Sequence, residues 1–383
     1  MSTGPAPGVR PAPAPSGPAP RPRLAYIDNL RILLTVLVVL HHCAVTYGNI
    51  PAWFYTEPAQ DPSGVALDLL VIFDQAFFMG FFFLLSGFFT PGSADRKGAR
   101  PFLRDRLVRL GVPLLLFVLL MRPLLTYGIY TELAAGELPY WLFYILSWDA
   151  GPMWFVEVLL VFCLAHLLIR RFRAPQEARI AERRTGRMPG PAAVLGFTAG
   201  LTALTFLWRL PVPTGTYWPV VGLPTPYFLP QYALMFAAGA LAFRRGWFDS
   251  VPRAAGWGGL AMAVFAAAML FPLSGGTGVL PGAWGTLSGA AFESVFAVGT
   301  VLFLLRLFQR FFDRQGPFAR FLSANAFAVY FLHSPILVGI GYALSGWEAP
   351  AAAKFGAMAV LALPLCWGAA HLMRSLPFAK RVF

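Results

Sequence analysis

The run IDNLRILLTVLVVLHHCAVTYG, from Ile27 to Gly48, decides the fold class. Beyond Asn29 it is almost wholly apolar, and its length matches the roughly 20 residues a helix needs to cross the hydrocarbon core of a bilayer. It nevertheless carries Arg31 near its start and the pair His41-His42 towards its end. Further stretches of the same kind are centred on residues 66–90, 110–130, 152–170, 191–208, 226–243, 254–272, 283–305, 322–344 and 355–374. Composition agrees with this reading. The chain is 57% apolar and 12% charged, with a mean hydropathy of +0.63, whereas soluble domains are about half apolar and a quarter charged. The expected fold is all-α, a polytopic membrane helix bundle with about ten transmembrane helices.

A net charge of +13 invites a nucleic-acid reading, but the placement of the basic residues argues otherwise. With ten spans and an inside N-terminus, all of the 30 Lys and Arg residues except Arg122, Arg209 and Lys354 fall on one side. This is the positive-inside bias; it places both termini in the cytosol and makes the basic pI a report of topology. Residues 1–23 hold eight prolines among Ala, Gly and Ser, a composition that reads as a disordered cytosolic tail. The membrane domain is expected over 24–383. The first long apolar run is a full span with no small-residue cleavage site, so it reads as an uncleaved helix. Cys43, Cys163 and Cys366 fall inside spans and read as small apolar residues. No C-x-x-C, H-E-x-x-H or G-x-x-x-x-G-K-[ST] pattern occurs, so no metal or phosphate-loop site is expected. The Arg-rich loop from Arg170 to Gly190 reads as a solvated linker near anionic headgroups.

Ionisable side chains within spans are costly, by about 2.5–3.5 kcal/mol on insertion scales, and so point to function. Counted at 1.5 Å per residue from the expected cytosolic ends, His42, Asp74, Arg122, Glu157, Glu293 and His333 all lie roughly 16–22 Å deep. A shared level suggests a water-accessible polar chamber; the alternative is a set of buried ion pairs tying helices together. Arg31 and His42 are eleven residues apart, which at 100° each is three turns plus about 20°, so they share a helix face. His41 points about 80° away. The rise from Arg31 to His42, roughly 16 Å, is similar to the reach of the pantetheine arm of coenzyme A. That coincidence suggests that Arg31 meets phosphate or pantetheine groups and His42 a thioester; the alternative is Arg31 as a snorkelling marker of the inner side and His42 as a packed helix-contact histidine.

Four ordered elements carry a family resemblance. Ile27-Asp28-Asn29-Leu30-Arg31, ten residues and then His42 resembles the R-x10-H signature of the acyltransferase-3 family of integral-membrane O-acyltransferases. Phe82-Phe83-Leu84-Leu85-Ser86-Gly87-Phe88 is similar to its F-F-x-L-S-G-F element. Arg106-Leu107-Val108-Arg109 followed by Pro113 is similar to its R-x-x-R-x-x-x-P, and Tyr330-Phe331-Leu332-His333 to its Y-x-L-H. The likeness runs over about residues 25–372, and Asn29 and Trp154-Phe155 resemble the branch with the osmoregulated-glucan succinyltransferases. Paired acids found in many members are absent here, where Glu157 stands alone, so no catalytic carboxylate is carried over.

The resemblance implies acyl-CoA, acetyl-CoA or succinyl-CoA first, as a cytosolic donor. It implies as acceptor a hydroxyl of a saccharide, glycan or natural product, hence O-acetylation or succinylation of cell-envelope material by a multi-pass protein of a bacterial inner membrane. A neutral imidazole at His42 would act as general base, worth about 10²–10⁴-fold, with Arg31 three turns away as the second catalytic candidate. Arg104, Arg106 and Arg109 would grip the nucleotide phosphates. Ser86 and Gly87 would admit the donor closely or else serve helix packing. Asp74, Arg122, Glu157, Glu293, Tyr330 and His333 are the chamber candidates. Membrane lipid is an expected partner and nucleic acid is not. The competing class is a secondary transporter or exporter with a midplane polar site, since such proteins also bury polar groups midway through broken helices.

Overall fold

In hydrocarbon every backbone N–H and C=O has to be satisfied within its own segment, so long apolar runs become helices. The computed structural model describes residues 24–50, 53–177, 186–219, 222–274 and 279–383, and it is built from helices, with one isolated antiparallel bridge between Trp218 and Leu223. The proline-rich segment 1–23, expected to be disordered, lies outside the described residues. The helices that position the site are α1 (Ala25–Tyr47), α2 (Gly64–Lys97), α3 (Ala99–Leu133) and, after the short α4 (Tyr140–Leu146), α5 (Trp154–Glu177). They are followed by α6 (Pro191–Arg209), α7 (Leu229–Arg245), α8 (Arg253–Leu273), α9 (Gly282–Phe311), α10 (Pro317–Leu344) and α11 (Ala351–Ser375).

Among the described residues nine segments are long and apolar enough to cross a bilayer. The tenth expected span is α7, whose 17 residues rise only about 25 Å against a hydrocarbon core of about 30 Å. A single tight turn, Pro226–Phe228, extends it. The stretch 91–109, expected as a loop, is instead a helical hairpin. α2 continues through Pro91 to Lys97, and Gly98, at φ 78°, makes the whole turn before α3 starts, a left-handed conformation that glycine adopts at little cost. α3 widens into π-type turns at Leu107–Gly111 and Phe117–Met121. Each lies just ahead of a proline, Pro113 or Pro123, whose missing N–H and bulky ring break the regular hydrogen-bond ladder there.

Close helix crossings hold the bundle together, as expected where lipid supplies no hydrophobic driving force between helices. At the crossing of α2 and α7, a Cβ on Gly87 would collide with the Phe236 carbonyl oxygen and one on Gly239 with that of Leu84. The glycine of the F-F-x-L-S-G-F element therefore serves packing. A second crossing joins α8 to α9, where a Cβ on Gly259 or Gly299 would come to 2.6 Å from the other's carbonyl oxygen.

Candidate active site

The first turn of α1 is tied down on two loops, and this fixes which way its faces point. The Tyr26 hydroxyl donates to the Phe248 carbonyl at 2.6 Å. The Asn29 amide donates to Phe312 O (2.6 Å) and Arg314 O (3.0 Å) and accepts from Gln315 Nε2 (3.0 Å). With its rotation set in this way, α1 turns Arg31, Thr35 and Val38 into one cavity of about 490 Å³. Those residues follow the i, i+4, i+7 course of one helix face, and His42 stands at i+11 on the same line. It lies one turn beyond Val38, the deepest α1 side chain lining the cavity, and is half-buried, whereas His41 is buried.

The mouth of the cavity is cationic. Arg31 from the start of α1, Arg106 and Arg109 from the start of α3 and Arg374 from the end of α11 all line it, facing the Asp28 carboxylate and Phe383, whose O accepts from Arg374 Nε at 3.2 Å. Asp28 lies 3.5 Å from Arg31, Asp105 lies 3.3 Å from Arg109, and Arg374 donates to Asn325 Oδ1 at 3.1 Å. The Arg106 guanidinium sits over the Phe102 ring, 5.1 Å from its centroid, and its buried Nε has no hydrogen-bond partner. Arg104, expected with these, is exposed and does not line the cavity. Ser86 and Thr90 of α2 form the polar strip of the opposite wall, while Phe82, Phe155, Leu159 and Phe327 make the rest apolar. A cleft with several guanidinium groups at one end and an apolar shaft behind them fits a ligand with anionic phosphates and a long uncharged arm.

Past the shaft, aromatic and imidazole rings gather. The His42 ring stacks on Trp53 with centroids 3.7 Å apart and lies 5.1 Å from His333; Trp53 and His333 are 5.8 Å apart. Tyr330 lines the cavity, stacks on His333 at 5.9 Å and donates its hydroxyl to the Pro152 carbonyl. His333 Nδ1 lies 2.7 Å from Tyr330 O, which makes that nitrogen the N–H donor and leaves Nε2, buried and unpartnered, as an acceptor. His42 Nδ1 is also buried without a partner.

Trp53 reaches this cluster from the α1–α2 loop. The loop is held by the Glu57 N–H donating to Thr46 O at 2.7 Å, by a Lys354–Glu57 ion pair and by Asp61 accepting from the Ala351 N–H at 2.8 Å. Hydrogen bonds from the Ser63 hydroxyl, the Ala351 N–H and the Ser63 N–H hold the Asp61 carboxyl below the usual carboxylate range.

The remaining chamber candidates separate. Asp74 faces the other imidazole: His41 Nδ1 lies 3.2 Å from Asp74 Oδ2, and the His41 ring stacks on Phe78 at 5.0 Å. Arg122 is fully buried and clamps the turn before α5, bonding Tyr144 O and Ser147 O and pairing with Asp149 at 3.3 Å. Glu293 pairs with Arg209 across α9 and α6. For Arg122 and Glu293 the ion-pair alternative holds, and neither lines the cavity. Glu157 stands half-buried in the first turn of α5, behind the lining residues Phe155 and Leu159. Two neighbours of the site were not singled out from the sequence. Trp53 lies in a loop that no helical periodicity connects to His42, and Arg374 looks in the sequence like any basic residue at a helix end. Among the described residues no group of three His, Cys, Asp or Glu is placed to hold a metal ion.

A family model described as an acyltransferase domain matches residues 24–371, nearly all of the membrane bundle. The chain belongs to the acyltransferase-3 family. It is thus a membrane acyltransferase, and all four sequence elements of the resemblance fall within the matched range. No curated protein and no solved structure matches this acyltransferase. In it, the R-x10-H spacing corresponds to one face of α1, with the arginine at the cavity mouth and the histidine at the ring cluster.

Proposed function

We propose that this acyltransferase moves an acyl group, acetyl or succinyl first, from acyl-CoA to a hydroxyl of a saccharide, glycan or natural product of the cell envelope. The observation that carries the proposal is the single cavity running along α1 from four arginines to the neighbourhood of His42. The phosphates of the donor would sit on Arg31, Arg106, Arg109 and Arg374, with the basic end of the bundle facing the cytosol, where the positive-inside bias puts it. The pantetheine arm would follow the shaft past Ser86 and Val38.

At the inner end His42 accepts the proton of the acceptor hydroxyl as its oxygen attacks the thioester carbonyl. The new C–O bond forms, the C–S bond breaks, and the imidazolium returns the proton to the departing thiolate. Acyl ester and free CoA thiol are the products, so atoms and charge balance without a metal. Trp53 and His333 hold the His42 ring by stacking and leave its edge for the reacting hydroxyl.

Purified full-length protein in lipid nanodiscs, given acetyl-CoA or succinyl-CoA labelled in the acyl group and a cell-envelope glycan extract, should move label to glycan and release CoA thiol in equal amounts. Passage of an unmodified solute across a vesicle membrane with no CoA released would favour the transporter reading instead.

A further inference from the structure

A second cavity, of about 580 Å³, lies on the far side of α2 and α7 from the first, between α6, α7 and α9. Its floor is apolar, with Leu234, Leu241, Val301 and Leu305 prominent, and its charged groups are two guanidiniums, Arg187 and Arg245. No Asp or Glu lines it. Both arginines sit at one end, because the Gly186 N–H donates to Arg245 O at 2.9 Å and so brings the two segments together. That end is the basic end of the bundle: next to Arg245, Arg244 pairs with Asp95 at the close of α2, and Asp95 also pairs with Arg170 at 2.8 Å.

One wall of the cavity is the less buried first part of α6. The buried residues of α6, Thr198, Leu201, Thr205 and Arg209, all lie from its eighth residue onward, and at its end Arg209 pins it to Glu293. Its first seven residues, Pro191 to Phe197, include none that is buried. Ala193, Val194 and Phe197 thus form one wall of a groove that opens where Arg187 and Arg245 stand.

We infer that this groove binds one anionic diacyl phospholipid of the leaflet at the basic end, its acyl chain between α6, α7 and α9 and its phosphate on Arg187 and Arg245. Charge complementarity selects this occupant. A basic pocket between transmembrane helices at the headgroup level attracts anionic lipid, and guanidinium groups pair with phosphate through two parallel hydrogen bonds. The volume lies within the roughly 300–1,000 Å³ of ordinary ligand pockets. Trp247, over whose ring Arg245 sits at 6.0 Å, lines the same end, in keeping with the preference of tryptophan for the interface.

The test is a titration of delipidated full-length protein in neutral detergent, with bound lipid counted by native mass spectrometry. Phosphatidylglycerol should bind about tenfold more tightly than phosphatidylcholine, with one lipid retained. Arg187→Ala combined with Arg245→Ala should bring the two lipids to equal affinity, and both side chains are exposed, so folding is not at stake. Ala193→Trp, which fills the groove without touching either arginine, should weaken phosphatidylglycerol binding at unchanged thermal stability. Glycerol phosphate alone should not displace the lipid. Equal affinity for both lipids in the unaltered protein, a preference that survives the double substitution, or displacement by glycerol phosphate would each overturn the assignment.

Discussion

Replacing His42 with alanine should lower acyl transfer by about 10²–10⁴-fold, the range for loss of a general base, while the protein folds to its usual yield. His42 is half-buried, and its buried Nδ1 has no hydrogen-bond partner. Its loss removes stacking on Trp53 and His333 and leaves no buried charge unpaired. The control is the adjacent imidazole. His41 is buried against Asp74 and Phe78, so His41→Ala should cost about 1–3 kcal/mol of stability by leaving the buried Asp74 carboxyl group without its imidazole neighbour yet keep near-normal turnover per folded molecule. Initial rates divided by the amount of folded, monodisperse protein separate the two effects. Equal loss of turnover in both variants at normal folding yield would mean that the helix-face argument selected the wrong histidine.

Arg31→Ala should act on the donor. Hydrogen bonds to a charged group are worth about 1.5–3 kcal/mol, so losing the guanidinium at the cavity mouth should raise the KM for acyl-CoA by about tenfold to a hundredfold. The acceptor KM should stay within twofold, because the mouth lies roughly 16 Å from His42 along α1. Arg31→Lys should recover part of the loss, since a lysine keeps the charge without the planar fork that grips a phosphate through two bonds. A donor KM unchanged in Arg31→Ala would remove this arginine from the donor path.

The parts of this account that could be read from the sequence are those set by local geometry. An eleven-residue spacing on a helix fixes an angle and a rise whatever the rest of the chain does, and Arg31, Thr35 and Val38 do line one cavity below His42. The all-helical bundle could also be read, since lipid leaves the backbone few alternatives. Depth along the membrane normal was a weaker guide, because it says nothing about lateral position. Arg122 and Glu293 were grouped with His42 by depth alone, and each belongs to a separate ion pair, with Asp149 and with Arg209. Asp74 illustrates the same point at closer range, since it meets His41 on the face turned away from Arg31.

What could not be read depends on tertiary approach. Trp53 reaches His42 only because Glu57 and Asp61 fasten its loop to α1 and to the start of α11. Arg374 joins Arg31 only because α11 returns beside α1. The packing role of Gly87 depends on Gly239, which faces the same crossing of α2 and α7 from the other helix. Asn29, noted in the sequence for a family branch, serves here to hold the α9–α10 loop against the first turn of α1.

The most direct measurement is an experimental structure of the full chain with a hydrolysis-resistant acyl-CoA analogue, in which the thioester sulfur is replaced by methylene. The phosphates should lie among Arg31, Arg106, Arg109 and Arg374, and the acyl carbonyl should lie beside the His42 ring with room for one hydroxyl between them. An analogue seated outside this cavity, or one threaded with its acyl end at the arginines, would contradict the account.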